Sequence, residues 1–187
     1  YSTNLGDLDA DGALDLIVGN GNPGTVNRRY LGNGSGGFDS GADVASDADF
    51  TQSTSIGDMD GDGDLDLIVG NQAVNRLYLG NGSGGFGAGT NIASDAVQTN
   101  STTVGDVDGD GDLDLIVGNY GQVNRLYLGD GSGGFAAGTD LTSDAHSTQS
   151  TSLGDVDGDG DLDLIAGNNA QVNRQYLGDG SGVFAAG

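Results

Sequence analysis

Several residue types are missing from this 187-residue sequence, and each absence narrows what the protein can do. There is no cysteine, so disulfide bonds, thiolate metal sites and cysteine nucleophiles are excluded. Lysine, glutamate and tryptophan are also absent, while histidine and proline occur once each. No apolar run approaches the roughly 18 residues that a bilayer-spanning helix needs, so we expect no membrane span.

The charged residues are of two types only. All 28 acidic residues are aspartate and all five basic residues are arginine, which gives a formal net charge of −23. Such a polyanion is repelled by nucleic acid and by anionic membranes, so we expect neither as a direct partner. A halophilic surface would scatter its acids, whereas 19 of these aspartates fall in four short segments. The expected partners are therefore cations.

The four segments are copies of one nonapeptide, Asp-x-Asp-x-Asp-Gly-x-x-Asp. Its aspartates occupy positions 1, 3, 5 and 9, and the glycine at position 6 allows a left-handed turn. Carboxylates at alternate positions of a turning loop converge on one point, which suits the six to eight oxygen ligands of Ca²⁺. We predict about four Ca²⁺ ions, one per repeat, with position 7 binding through its backbone carbonyl. The predicted metal-site residues are Asp7, Asp9, Asp11, Ala13, Asp15, Asp58, Asp60, Asp62, Asp64, Asp66, Asp106, Asp108, Asp110, Asp112, Asp114, Asp155, Asp157, Asp159, Asp161 and Asp163.

Three other interpretations of these loops are weaker. An EF-hand needs a bidentate Glu at position 12, where this sequence has Val18, Val69, Val117 or Ala166. Mg²⁺ demands a tighter octahedron and releases its water reluctantly. Plain acidic turns without an ion would hold mutually repelling carboxylates together.

The glycine before each loop marks an internal repeat. Gly6, Gly57, Gly105 and Gly154 are spaced by 51, 48 and 49 residues, a period typical of propellers, solenoids or arrays. The apolar runs are short, β-branched or aromatic and bounded by Gly and Asn, which predicts four strands per repeat. Asn-Gly or Asp-Gly dipeptides follow the third run, as in hairpin turns.

The predicted fold is an all-β propeller of four four-stranded antiparallel blades. We expect a single repeat domain over 1–187, with blades at approximately 1–46, 47–94, 95–143 and 144–187. A segment of a larger propeller and an open repeat array are the alternatives.

Length differences between repeats fall in the connection between the second and third strands. In an antiparallel blade this connection lies at the end where the blades are joined, opposite the acidic loop. Residues such as Tyr120 and His146 also vary at this end, which we call the variable end. Repeat proteins commonly bind partners through such a face.

Other residues recur once per repeat. Arg28, Arg76, Arg125 and Arg174 follow an Asn on the third strand, which favours pairing with an aspartate over a ligand site. The recurring Tyr and Phe residues favour packing between blades over a platform for sugars, since tryptophan is absent.

The loop, the following Leu-Ile-Val-Gly-Asn and the later Asn-Gly-Ser-Gly-Gly-Phe together resemble the FG-GAP/VCBS repeat family. This is the blade of integrin α-subunit propellers and of many secreted proteins, including some propeller lectins. The resemblance implies a calcium-loaded β-propeller, located extracellularly as a secreted or cell-surface protein, that acts in adhesion or recognition.

Two functional hypotheses follow. The first is an extracellular calcium-binding repeat protein that recognises a protein or glycan ligand at its variable face, with a lectin as the narrower form. The alternative is a structural subunit of an extracellular fibre or surface layer, in which copies of the chain polymerise through blade-to-blade contacts. We expect no enzyme, because the single His146 is not repeated and neither Cys, Lys nor Glu is available.

Overall fold

The computed structural model describes residues 1–186, which form sixteen β-strands. These are β1 Ser2–Gly6, β2 Asp15–Gly19, β3 Arg28–Tyr30, β4 Ala42–Asp43, β5 Thr51–Gly57, β6 Asp66–Asn71, β7 Val74–Tyr78, β8 Thr90–Ala96, β9 Thr99–Gly105, β10 Asp114–Asn119, β11 Arg125–Tyr127, β12 Thr139–Asp140, β13 Thr148–Gly154, β14 Asp163–Asn168, β15 Arg174–Gly178 and β16 Phe184–Ala186. None of the described residues forms a helix that could cross a membrane.

The strands form four antiparallel meanders, each of four strands in chain order. β1 to β4 make the first sheet, β5 to β8 the second, β9 to β12 the third and β13 to β16 the fourth. In each sheet the first and second strands pair up to the acidic loop, as Gly57 does with Asp66. The prediction of four four-stranded antiparallel blades is confirmed.

The second strand of each of the two middle blades lies between two neighbouring sheets. All six residues of β6 and of β10 are buried, as expected for strands covered on both faces. β2 instead alternates between buried and half-buried positions, and Ile165 of β14 is 38% exposed. The first and last sheets are therefore covered on one face only.

Three apolar seams join the sheets. In the middle seam, Met59, Ile68 and Leu77 of the second sheet pack with Leu115 and Tyr127 of the third. The Ile of the Leu-Ile-Val run points to the following sheet, while its neighbours point to the preceding one. Equivalent residues form the seams on either side: Leu8, Ile17, Val44, Leu67, Val69 and Tyr78 in one, and Val107, Ile116, Leu126, Leu164, Ala166 and Tyr176 in the other.

Hydroxyl groups continue these seams along the first strands. β1 packs on β5, β5 on β9, and β9 on β13. Thr102 Oγ1 lies 3.0 Å from Ser53 Oγ and 2.8 Å from Ser55 Oγ, and the equivalent bonds recur at Thr54 and Thr151. Within residues 1–186 no comparable packing joins β13 to β1. The four blades therefore form an open arc.

An aspartate outside the acidic loops ties each sheet to the next. Asp95 Oδ2 accepts a hydrogen bond from the Tyr127 hydroxyl at 3.0 Å and lies 3.1 Å from Arg125 Nη1. Asp47 and Asp144 make the same contacts with the Arg and Tyr of the second and fourth sheets. Arg28 pairs instead within its own sheet, with Asp43 at 2.8 Å. The predicted Arg–Asp pairing is confirmed.

Aromatic packing between blades is confirmed where a preceding sheet exists. Tyr78, Tyr127 and Tyr176 lie in the seams and are at most 3% exposed. Phe38 of the first sheet is 47% exposed, because no preceding sheet covers it.

Candidate metal centres

Each sheet brings three aspartate carboxylates together in the loop between its first and second strands. In every group one oxygen of each residue lies within 4.8 Å of the others. The groups are Asp7, Asp9 and Asp15; Asp58, Asp60 and Asp62; Asp106, Asp108 and Asp114; and Asp155, Asp157 and Asp163. Positions 1 and 3 therefore occur in all four groups, position 9 in three and position 5 in the second.

The position-1 carboxylate folds the loop around itself. Asp58 Oδ1 accepts a hydrogen bond from the Asp62 backbone N–H at 3.1 Å, and its Oδ2 accepts one from Gly63 at 3.0 Å. Gly63 has a φ of 93°, which places its N–H toward Asp58 in a conformation that favours glycine. The other three loops have the same bond from the glycine at position 6. The predicted left-handed turn at this glycine is confirmed.

The position-9 carboxylate closes the loop against the third strand. Asp66 is 1% exposed; its Oδ2 accepts from Met59 N–H at 2.7 Å and its Oδ1 from Gly80 N–H at 2.7 Å. The same two bonds recur at Asp15, Asp114 and Asp163. Each oxygen keeps a second lone pair, so this residue both anchors the loop and offers an oxygen to a cation.

Negative charges lie close together in the acidic loops. Burial, followed by the negative charges of Asp11 and Asp15, raises the pKa of Asp9 above its usual range. Asp9 Oδ1 is buried without a hydrogen-bond partner among the described residues. Desolvation is also the main reason why the pKa of Asp60 and that of Asp157 are raised. An unpaired carboxylate oxygen facing like charges fits a bound cation, which would reverse these shifts.

The position-9 residues differ between sheets. Burial raises the pKa of Asp66 and of Asp114 despite their backbone hydrogen bonds. In the fourth sheet the hydrogen bonds from Val156 and Gly178 dominate and lower the pKa of Asp163. The fourth loop has no following sheet, and Val156 is 50% exposed, so less of the protein desolvates this site.

The remaining predicted ligands lie beside the three-carboxylate groups. In all four loops the position-5 carboxylate accepts a hydrogen bond from the position-7 N–H, for example Asp110 from Asp112 at 2.9 Å. The position-7 carboxylates of Asp64, Asp112 and Asp161 face the Asx-Gly turn of their own sheet. Ala13 holds position 7 in the first loop and is buried.

Two sets of contacts between the sheets were not predicted from the sequence. The first involves the aspartate of the recurring Ser-Asp-Ala, such as Asp95; because this tripeptide occurs three times, the repetition could have predicted its role. The second is a bond between blades, because Gly84 N–H of the second sheet donates to the Leu8 carbonyl of the first loop at 2.9 Å. Gly133 and Gly182 repeat it on the second and third loops. These loops therefore form part of the seams.

Comparison of the chain with protein families agrees with the repeat structure. The model of the FG-GAP-like repeat matches three overlapping segments, residues 7–69, 58–117 and 106–166. Each match begins at an acidic loop and ends on the second strand of the following sheet. No curated protein sequence matches the chain.

Solved structures share the fold at low sequence identity. A lectin from Agrocybe aegerita that recognises non-reducing terminal N-acetylglucosamine is 22% identical, with a TM-score of 0.68 over 97% of this chain and 49% of its own. The V. cholerae biofilm matrix protein Bap1 is 16% identical, with a TM-score of 0.58 over 98% and 27%. The structure of BBS1N in complex with ARL6 is 10% identical, with a TM-score of 0.64 over 96% and 54%. This chain thus spans about half or less of the length of these structures.

Proposed function

We propose that this chain, which belongs to the FG-GAP-like repeat family, is an extracellular calcium-binding repeat protein that recognises a protein or glycan partner. The observation that carries the calcium assignment is the recurrence, in every sheet, of three carboxylates whose oxygens lie within 4.8 Å. Hard oxygen donors at this density suit Ca²⁺. When bound, Ca²⁺ would offset two of the four or five negative charges of each loop and would link positions 1, 3 and 9, with position 5 in place of position 9 in the second loop.

The calcium has a structural role in this proposal. The position-9 carboxylate is bonded to the third strand, and the position-2 carbonyl of the first three loops is bonded to the turn of the next sheet. An ion that fixes a loop therefore also fixes the sheet and the seam around it. Four ions would reduce the formal charge from −23 to −15.

Recognition is assigned to the variable end. Its loops differ in length and sequence between repeats, and Tyr120 there is 52% exposed. The similarity to a glycan-recognising lectin and to a biofilm matrix protein supports a ligand of glycan or matrix type. We also propose that the chain is not an enzyme, because its repeated carboxylates already serve the loops.

Calcium titration of chelator-treated protein tests the metal assignment. We expect about four ions per chain by calorimetry, and about three for Asp60→Asn, which removes one charged ligand from the second loop. Asp49→Asn is the matched control, since Asp49 lies outside the loops, and should keep the full stoichiometry. Equal stoichiometry for both variants, or no binding by the native sequence, would refute the assignment.

A glycan array, complemented by extracellular matrix proteins, tests the recognition role in the presence of calcium. Tyr120→Ala should weaken any binding found, while Ser83→Ala, which lies on the Asx-Gly turn at the opposite end, should not. Binding to no member of either panel, or a loss caused only by Ser83→Ala, would count against recognition at the variable end.

The alternative function, a structural subunit of an extracellular fibre or surface layer, is favoured by one observation. The first and last sheets expose apolar residues, among them Leu5, Leu14 and Val156, that would otherwise be covered in a seam. Open-ended growth of the particle mass with concentration would support this alternative.

A further inference from the structure

The Asx-Gly turn that follows the third strand of a sheet lies between two acidic loops. We define this turn as residues 81–84 in the second sheet, 130–133 in the third and 179–182 in the fourth. Each of these turns contacts the acidic loop of its own sheet and also that of the preceding sheet. The turn of the third sheet shows both sets of contacts.

On one side, the turn of the third sheet covers the acidic loop of the second sheet. Gly133 N–H donates a hydrogen bond to the Met59 carbonyl at 3.0 Å. A Cβ atom placed on Gly133 would lie 3.6 Å from Asp60 Cβ, so the turn also packs against the aspartate at position 3. The turn of the fourth sheet makes the same two contacts with the third loop, and the turn of the second sheet makes the same hydrogen bond to the first loop.

On its other side, this turn is fixed to the acidic loop of its own sheet. Gly129, which immediately precedes the turn, donates its N–H to Asp114 Oδ1 at 2.9 Å, and Asp114 belongs to the third group of carboxylates. A Cβ atom placed on Gly131 would clash with Asp112 Oδ1, so the turn also lies close to the position-7 carboxylate. The equivalent contacts recur in the second and fourth sheets.

The first residue of the turn holds its two ends together. Asp130 Oδ1 accepts hydrogen bonds from the N–H groups of Ser132 and Gly134, both at 2.9 Å. Asp130 N–H donates in turn to the Gly134 carbonyl at 3.1 Å. Asn81 holds the turn of the second sheet through the same pair of side-chain bonds, at 3.0 Å each. The two ends of each turn should therefore move together.

We infer that calcium binding to neighbouring acidic loops is positively coupled through the turn between them. This inference rests on the proposed calcium-binding function and concerns how the sites act on one another. A path of hydrogen bonds joins the position-9 carboxylates of two loops. Asp66 accepts from Met59 N–H, and the Met59 carbonyl accepts from Gly133. Gly129, at the start of the same turn, donates to Asp114.

The coupling arises from the order that the first ion imposes. An ion that fixes one loop also fixes the turn that packs against it. The next loop then loses less conformational freedom when it binds its own ion, so its affinity rises. Because coupling is reciprocal, the order in which the two loops bind does not matter.

The charges of the loops oppose this coupling. An ion on one loop makes the potential at the next loop less negative, which by itself weakens the second binding step. Salt at about 0.15 M screens exposed charges beyond roughly 8 Å, whereas the packing of the turn does not depend on salt. We therefore expect positive coupling at this salt concentration and weaker coupling as the salt is diluted.

A calcium-binding isotherm measured by equilibrium dialysis at about 0.15 M salt tests the inference. We expect about four ions per chain and a Hill coefficient above unity, with each ion raising the affinity of a neighbouring loop by about fivefold or more. The measurement is made below the melting temperature of the chelator-treated chain. Circular dichroism of the same samples should show β-structure before calcium is added, so that whole-chain folding does not produce the cooperativity.

Two variants of equal chemistry distinguish linked sites from independent ones. Asp108→Asn removes a charged ligand from the third loop, which has a linking turn on each side, and Asp157→Asn removes its counterpart from the fourth loop. Each variant should bind about three ions. Asp157→Asn leaves a run of three linked loops, whereas Asp108→Asn leaves one linked pair and one separate loop. The isotherm of Asp157→Asn should therefore be the steeper.

A second pair of variants changes the turn without removing any carboxylate of the acidic loops. Asp130→Ala removes the acceptor that holds the turn of the third sheet, so it should lower the Hill coefficient while about four ions still bind. Asp130→Asn is the matched control, since Asn33 and Asn81 hold the first two turns through the same bonds. It removes the same charge and should keep the native steepness.

Three results would overturn the inference and leave the calcium assignment intact. They are four ions bound with a Hill coefficient of unity, equal steepness of Asp130→Ala and Asp130→Asn, or an Asp108→Asn isotherm as steep as that of Asp157→Asn. Equal steepness of the two Asp130 variants would assign any cooperativity to folding of the whole chain. Absence of binding by the native chain would refute the calcium assignment and this inference with it.

Discussion

Ala10 adopts a backbone conformation that glycine adopts at the same loop position in the other three repeats. Its φ is 57°, while Gly61, Gly109 and Gly158 have φ of 72°, 76° and 84°. A side chain in this left-handed region costs on the order of 1–2 kcal/mol. The first loop is therefore strained at this residue.

Ala10→Gly should raise the free energy of unfolding by about 0.5–1 kcal/mol, because the relief of strain exceeds the extra entropy of the unfolded glycine chain. Urea unfolding in calcium measures the change. Gly158→Ala is the reciprocal control, since a Cβ there meets no atom within 4 Å and only its φ opposes the substitution. It should lower the stability, and a shift of both variants in the same direction would contradict this account.

Tyr127 makes the stability of the folded chain depend on pH in the alkaline range. Burial, together with its hydrogen bond to Asp95, raises the pKa of Tyr127 to about 12. Since the folded-state pKa lies above the ordinary value of 10.0, its contribution to stability is complete below about pH 10 and is lost as pH rises toward 12. Burial raises the pKa of Tyr78 in the same direction.

Tyr127→Phe should lower the free energy of unfolding at pH 8 by about 1.5–3 kcal/mol, because a hydrogen bond to a charged group is lost. It should also flatten the fall in stability between pH 10 and 12. Urea unfolding at pH 8 and pH 11 tests both effects. Tyr120→Phe, at an exposed tyrosine, should match the native chain, and an unchanged pH slope in Tyr127→Phe would disprove the assignment.

At the scale of the element, the acidic loop is a proposed cation site and also connects two strands of its sheet. Position 3, as in Asp60, faces its like-charged neighbours, and its contribution depends on an ion. Position 9, as in Asp66, satisfies two backbone N–H groups that are otherwise without a partner in the loop and at the end of the third strand. Two residues of one motif should therefore respond differently to calcium.

Asp66→Ala should lower the free energy of unfolding by about 2–4 kcal/mol with or without calcium, because the N–H groups of Met59 and Gly80 lose their acceptors. Asp60→Asn should lower it in calcium and have little or opposite effect in chelator, where it removes a repelling charge. Urea unfolding of both variants in each condition is the measurement. Equal calcium dependence of the two variants would show that position 9 has no separate structural role.

On the scale of the whole molecule, the arc is held by seams that begin at the loops. The Gly84, Gly133 and Gly182 N–H groups each bind a carbonyl of the preceding loop. The charge of −23 opposes compaction most strongly where the carboxylates gather. Metal binding and the stability of all four sheets should therefore change together.

Removal of calcium should cause a large fall in melting temperature. A single site at a calcium concentration 100 times its Kd stabilises the folded chain by about 2.7 kcal/mol, and four sites add to one another if they are independent. Calorimetric melts in calcium and in chelator test this, and added NaCl should restore part of the loss in chelator by screening the loops. A melt that is unchanged by chelator would show that calcium is not structural.

The sequence by itself determined the repeat, its four strands, the turn glycines and the carboxylates that gather in each loop. These features depend on local spacing: alternate aspartates around a glycine such as Gly63 converge whatever surrounds them, and short apolar runs between Gly and Asn pair as strands. The recurrence of Arg and Tyr likewise predicted pairing and packing, because a residue repeated in every blade serves the contacts between blades.

Only the tertiary structure decided how the blades meet. Three kinds of contact join residues that are far apart in the chain or in different sheets. They are the hydrogen bond from Gly80 to Asp66, the ion pair between Asp95 and Arg125, and the hydrogen bond from Gly84 to the preceding loop. The open arc, with Leu5 exposed at one end and Gly154 unfilled at the other, is also a tertiary result. The curvature of the arc results from the small rotation at each of the three seams. Near-identical repeats give no local sequence pattern from which that rotation can be predicted.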